Sequence, residues 1–346
     1  MNPPISGLKS TTAAVGVDGA HYFLGIDLGG TKIHFALSDA HGQVLRDRIT
    51  PNDATSPREL ADSVGRASLT LLAQANVYPE DVRGVGVGIA GAVNVSNGQL
   101  ALAPNLQGTS TSHILDALTA IFDAPVRLDN DVNLAALGEW RRGVATGETD
   151  FVFIAVGTGI GMGIVAEGTL VRGARNAAGE IGYLPIGADP LDPLNHSRGP
   201  LEELVAGEEI AIRYTRQTGK TVTTRNVFDL AGAGDTVAIA SIEVEARYVA
   251  QAVVAVRSVL DPAMVVLGGG VGSRTEMLPL IQAWLIKFGA TGVDIRTSAL
   301  GADASVLGAI ELARERGRPE MERYEPERQQ HPTSVTSVRT HRDGRQ

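Results

Sequence analysis

The sequence predicts an α/β protein built from two similar domains that face a shared cleft, and three observations carry that prediction. At 346 residues the chain is long for a single core. From about residue 22 to 316, apolar runs of strand length are interspersed with amphipathic stretches of helical period. The third observation is an internal echo. Phe23–Leu28 leads through Gly29-Gly30 into Ile33–Leu37 and through Gly42 into Val44-Leu45; Phe151–Val156 leads through Gly157-Thr158-Gly159 into Ile164-Val165 and through Gly168 into Leu170-Val171. A duplicated order of strand, glycine turn, strand, glycine turn, strand means two like units, each offering a turn to a common cleft. The first unit is expected over 21–128, completed by the last helix at 303–316, and the second over 129–302.

Bulk properties narrow the function. With 43% hydrophobic and 20% charged residues the chain reads as ordinary globular protein. The absence of cysteine removes disulfides, thiolate catalysis and cysteine-based zinc sites. A net charge of −9 weighs against nucleic-acid binding, which needs a basic face. No apolar run reaches membrane-spanning length and no signal pattern opens the chain, so a cytoplasmic protein with no membrane partner is expected. Residues 1–20 read as a flexible leader too short for a helix-turn-helix, and 317–346, rich in Pro, Glu, Arg and Gln, as a disordered tail.

The elements follow in order. After the opening hairpin, Val44–Ile49 offers a third strand, and Pro57–Ala75 a helix with Leu60, Val64, Leu71 and Leu72 on one face. Val82–Val93 reads as a buried strand entering a glycine loop. Its Gly86, Gly88 and Gly91 spell G-x-G-x-x-G, but no helix starts there and no acid stands where a ribose partner belongs, so close packing or a substrate-facing loop explains it better. A helix at Thr111–Phe122, a strand at Val126–Leu128 and a helix at Leu134–Trp140 come next. Ile239–Leu260 is a long helix with Ile242, Ala246, Val249 and Val253 along one side, stopped by Asp261-Pro262. Strand Val265–Leu267, helix Met277–Phe288, a strand near Val293–Arg296 and a helix at Asp303–Arg316 complete the fold.

Four stretches carry chemistry. In Gly25–Lys32 an acid at a strand end stands beside Gly29, Gly30, Thr31 and Lys32; these can hold a phosphate and its metal, with Asp27 on Mg²⁺ directly or through water, or they can make an ordinary hairpin. Asp129-Asn130-Asp131-Val132-Asn133 opens a helix with more acids and amides than one cap needs, and a carboxylate there can take a proton from a hydroxyl. Gly157–Gly161 repeats the first turn, and Gly268-Gly269-Gly270 offers backbone to a flat ligand. By contrast Thr218-Gly219-Lys220-Thr221 is no P-loop, because Tyr214 stands where the first glycine is required. Glu202 can be a first-turn helix acid, and each of the seven histidines is most simply a surface residue.

Together these stretches resemble the ROK family of bacterial sugar kinases and sugar-responsive repressors, of the actin-like ATPase (ribonuclease H-like) fold. The motifs are GIDLGGTK at 25–32, APNL at 103–106, DNDVNLAALGE at 129–139, VGTGIGMGIV at 156–165 and LDPAMVVLGGGV at 260–271. The resemblance implies ATP-dependent phosphorylation of a sugar hydroxyl, with ATP and Mg²⁺ as cofactors, glucose as the default sugar and a homodimer as the assembly. It implies a first phosphate loop of Asp27, Gly29, Gly30, Thr31 and Lys32, and a second of Gly157, Thr158, Gly159 and Gly161. Gly268, Gly269 and Gly270 would lie near the adenosine. Asp131 would be the base, and Asn105, Asn130, Glu180 and Glu202 would hold sugar hydroxyls. Two departures stand out. Pro193, Asn195 and Pro200 occupy the positions of the family's zinc cysteines, and Tyr183 stands where a histidine usually touches both zinc and sugar; it is counted with the sugar-binding residues, since a phenol can still donate to a hydroxyl, with a different reach and shape. The alternative is a non-catalytic sugar-binding regulator of the same family.

Overall fold

The computed structural model describes residues 21–93, 100–101 and 111–315; the leader, the tail and Asn105 with the rest of Ala103–Leu106 lie outside the described residues. The first half runs β1 (Tyr22–Leu28), β2 (Lys32–Ser38), β3 (Val44–Pro51), α1 (Pro57–Ala75), β4 (Val82–Ile89), the short pair β5 (Ala92–Val93) and β6 (Leu100–Ala101), α2 (Thr111–Thr119), β7 (Val126–Asn130) and α3 (Asp131–Arg142). The second runs β8 (Phe151–Val156), β9 (Ile160–Ala166), β10 (Thr169–Val171), α4 (Glu202–Val205), α5 (Gly207–Thr218), α6 (Thr224–Gly232), α7 (Thr236–Leu260), β11 (Met264–Gly268), α8 (Gly269–Gly272), α9 (Met277–Lys287), β12 (Asp294–Thr297) and α10 (Ala304–Arg314).

The echo in the sequence is an echo in topology. One five-stranded sheet has the order β3-β2-β1-β4-β7 and the other β10-β9-β8-β11-β12. In both, the first two pairings are antiparallel hairpins and the last two parallel crossovers. The central strands are buried on both faces, which is why YFLGIDL and FVFIAV read as near-continuous apolar runs. Each sheet has a core of its own: α1 and α2 cover the first, α5, α6, α7 and α9 the second.

Local chemistry sets the helix ends. Ser56 caps α1 by accepting the Glu59 N–H, Pro57 opens it, and Asn76 closes it in a left-handed conformation. In α5, Gly219 is the left-handed C-cap at φ 72°, which accounts for the false P-loop pattern. The apolar side of α7, including Ile242, Ala246, Val249 and Val253, is core of its own chain.

Helices α3 and α10 form the layer between the sheets. Helix α10 lies across β1, β2 and β4 and crosses α3, which in turn packs on β8 and β9. Glycine makes this possible: a side chain at Gly86 would run into the Ala309 carbonyl, so the first glycine of the G-x-G-x-x-G pattern is there for close packing.

The stretch from 205 to 235, to which the sequence reading assigns no element, contains α5 and α6. One expectation needs correction. His34 is not a surface residue: it is 3% exposed on β2, with Nε2 3.3 Å from Asp47 and Nδ1 3.9 Å from Asp303. Both faces of β2 are covered, so an imidazole there must find polar partners inside. Among the described residues, no helix is long and apolar enough to cross a membrane.

Candidate active site

The site is best built from the junction of β7 and α3. Asp129 is buried; its Oδ1 accepts the Asn130 N–H at 2.8 Å and the Asn133 side-chain amide at 3.0 Å, and its Oδ2 pairs with Arg172 Nε at 2.7 Å. Asn130 is the N-cap: its Oδ1 accepts from the N–H groups of Val132 and Asn133, while Nδ2 donates to the Gly91 carbonyl at 3.2 Å. Asp131 differs. Its Oδ1 accepts the Val132 N–H at 2.9 Å, and its other oxygen has no hydrogen-bond partner among the described residues. Of this polar cluster, then, Asp129, Asn130 and Asn133 build the turn and Asp131 is left free to act. Asn130 keeps one amide hydrogen for a ligand.

Asp27 ends β1 opposite Gly88 of β4, where a side chain would crowd the Asp27 carboxylate, Ser305 and Leu134. Ser305 of α10 donates to Asp27 Oδ1 at 2.8 Å, and Oδ2 is without a partner among the described residues. The turn beyond is closed by the Gly29 N–H donating to the Lys32 carbonyl at 3.0 Å, and Gly30, Thr31 and Lys32 are exposed. In the second sheet the Gly157 N–H donates to the Gly159 carbonyl at 2.9 Å and Thr158 is exposed, so the second turn is one residue tighter than the first but is likewise closed by its leading glycine. Gly161 lies against Val132 at the head of α3, which brings the second turn beside Asp131. Gly268 and Gly269 are packed against Phe153 and Val156, whereas Gly270 faces open space near Gly157. A side chain at Gly268 or Gly269 would therefore clash, whereas one at Gly270 would meet nothing.

The remaining acids arrive from the loop after β10. Gly179 accepts the Met162 N–H at 2.9 Å and sits at φ 93°, tight against Met162; only glycine fits, and Glu180 is aimed by it. Glu180 carries no side-chain hydrogen bond among the described residues. Glu202 at the start of α4 accepts the Ile160 N–H at 3.0 Å through Oε2 and meets Arg198 Nε at 3.4 Å through Oε1. It thus clasps the second glycine turn. Tyr183 donates its phenol to the Ser197 carbonyl at 2.9 Å.

Electrostatics place these groups in one field. Burial raises the Asp131 carboxyl to about 7, the charge of Asp27 adds to this and that of Glu180 adds further, against the Val132 hydrogen bond. Burial, then the Glu202 charge, raises Glu180 to about 7. Asp27 is raised by burial against the Ser305 bond and the charges of His34 and Lys32. Tyr183 is raised by burial and then by Glu180 and Glu202, so its phenol stays a donor. Such a collection of mutually repelling acids between glycine turns suits a site that takes in a cation and gives up protons. A carboxyl raised to about 7 is protonated below that pH, and in the general-base role proposed below Asp131 would be idle there. For the free protein, kcat/KM for an acceptor hydroxyl should therefore climb through a limb near pH 7 and level off above it; a flat profile from pH 5.5 to 8.5 would contradict this assignment.

The sequence matches the ROK family from residue 23 to residue 316. This chain belongs to the ROK family. Among its ROK relatives, the glucokinase of Halalkalibacterium halodurans is 29% identical over 310 residues, covering 83% of this chain and 93% of the relative. The N-acetylmannosamine kinase of Escherichia coli is 33% identical over 297 residues, covering 84% and 97%. A ROK glucokinase from Streptomyces griseus, solved with glucose and AMPPNP, superposes with a TM-score of 0.70 at 27% identity, covering 86% of this chain and 99% of that one. The fold is accordingly the actin-like ATPase fold, and this ROK protein lacks the zinc cysteines altogether. Sequence reasoning missed Ser305, Arg172 and Arg198, which hold Asp27, Asp129 and Glu202. Ser305 and Arg172 come from distant parts of the chain, where no local pattern marks them, whereas Arg198 stands only four residues before Glu202.

Proposed function

We propose that this ROK protein is an ATP-dependent sugar kinase that phosphorylates a hydroxyl of a hexose or amino sugar, glucose first, with Asp131 as the general base. The observation that carries the reading is the unpartnered Asp131 oxygen at the head of α3, beside the second glycine turn and within the field of Asp27 and Glu180. In this reading Asp131 accepts the hydroxyl proton as the new oxygen–phosphorus bond forms and the bond to the ADP oxygen breaks. Glu180, Glu202 and the spare amide hydrogen of Asn130 orient the sugar, so the reacting hydroxyl is held rather than searched for. Asn105 is assigned a sugar contact by the motif alone.

The residues present suit ATP and its metal. Gly30 and Gly270 face open space, so backbone can lie against a ligand, and Asp27 has an oxygen to spare. Gly29, Thr31 and Lys32 would hold one part of the phosphate chain, Gly157, Thr158 and Gly159 another, and Asp27 the Mg²⁺, directly or through water. The ion would neutralise phosphate charge. We take the lobes as 21–128 with 303–316, and 129–302, closing about α3 and α10 to exclude water. The assembly proposed is a homodimer.

A coupled ADP-release assay over a panel of hexoses and amino sugars tests the reading. Sugar-dependent ADP release with at least one panel member is expected. Sugar binding by calorimetry with no release would instead favour the regulator.

A further inference from the structure

The loop between Tyr183 and Leu201 contains the positions where the zinc cysteines would stand, and zinc does not fit there. The chain has no cysteine, and among the described residues no three His, Asp or Glu side chains are placed to hold a metal. The loop is nevertheless tightly closed. At its neck the Leu201 N–H donates to the Gly182 carbonyl at 3.0 Å, and the Ala188 N–H to the Pro200 carbonyl at 3.1 Å. Gly182 and Gly199 lie face to face, Gly199 at φ 95° with no room for a side chain between them.

Asn195, at one of the missing cysteine positions, ties three parts of the loop together. Its side-chain amide donates to the Asp189 carbonyl at 2.8 Å, its N–H to the Asp192 carbonyl at 3.0 Å, and its carbonyl accepts the Gly199 N–H at 3.0 Å. Tyr183 closes the span from the other side through Ser197. The next residue, Arg198, meets Glu202, and Glu202 holds the Ile160 N–H of the second glycine turn.

We propose that Tyr183 and Asn195 are positioning residues which replace a metal staple with hydrogen bonds: they pin the 183–201 loop so that Arg198 holds Glu202 for the sugar. The proposal rests on the sugar-site reading above but not on catalysis. In this account the Tyr183 hydroxyl serves the loop through Ser197, and the loop, not a bound ion, sets the sugar side of the cleft.

The test uses the full chain without ATP. Metal analysis of the purified protein should find far less than one zinc per chain. Tyr183→Phe and Asn195→Ala should each weaken glucose or amino-sugar binding in calorimetry by about two- to tenfold, the range for one lost hydrogen bond. Peptides spanning 184–201 should exchange hydrogen faster in both variants, a readout that needs neither sugar nor turnover. The double variant should weaken binding by less than the product of the two, because either change alone loosens the same loop. Three results would overturn the proposal: stoichiometric zinc, unchanged exchange in both variants, or a sugar affinity that falls for Tyr183→Phe while Asn195→Ala binds as wild type. The last would make Tyr183 a direct sugar contact. Binding with no turnover would sink the kinase reading and leave this one standing.

Discussion

Asp131→Asn is expected to lower kcat by about a thousandfold, within the span that general-base catalysis contributes, while KM for sugar and ATP changes little. Asparagine keeps the size of the side chain, and its Oδ1 can still accept the Val132 N–H that helps start α3. What it cannot do is take the hydroxyl proton. The neighbours cannot substitute: Asp129 is committed to Arg172 and Asn133, and Asn130 to the cap and to Gly91. Steady-state kinetics with the sugar that turns over fastest checks this. A kcat within a factor of ten of wild type would remove Asp131 from its role.

Gly308→Ala is expected to destabilise the protein by about 3 kcal/mol, at the upper end of what overpacking usually costs. A methyl at Gly308 would meet the Leu134 backbone carbonyl, and one at Gly138 would meet the Ala304 carbonyl, so the α3–α10 crossing is made of backbone against backbone. A carbonyl within a helix cannot swing aside as a flexible side chain can, so the helices must part. Both helices also carry site residues, Asp131 on α3 and Ser305 on α10. Thermal unfolding should show a midpoint several degrees lower, with activity at low temperature reduced as well. An unchanged midpoint would contradict a backbone-to-backbone crossing of α3 and α10.

Much of this was legible in the sequence, for physical reasons that differ by element. Strands β1 and β8 are buried on both faces, so their apolar runs are unbroken, and the glycine turns that follow repeat. Helix α1 announces itself with Ser56-Pro57 and a regular apolar face. Helix α5 does not: it opens on Gly207, and Ala206 before it supplies no side-chain cap, so no start signal marks it. His34 misled because a lone histidine carries no mark of burial; only the crossing of α10 over β2 encloses it.

In the site, residue types could be read but not their division of labour. Asp129 and Asp131 look alike in sequence, and it takes Arg172, far along the chain, to claim one and leave the other. Glu202 could be read as a helix acid or a sugar ligand; its bond to the Ile160 N–H adds a third task, fastening the second turn. The glycine triplet reads as uniform, yet packing requires glycine at Gly268 and Gly269 and not at Gly270. Tyr183 stands out as a substitution, and its bond to the Ser197 carbonyl is not visible in the sequence.

The most direct measurement of the central claim is phosphorus NMR of the full chain with Mg-ATP and glucose, repeated with an N-acetylated hexosamine. With at least one of the two sugars, a phosphomonoester resonance should grow as ATP is converted to ADP, one for one, and should be nearly absent with Asp131→Asn. ATP left intact with both sugars, although calorimetry shows either one bound, would contradict the kinase reading.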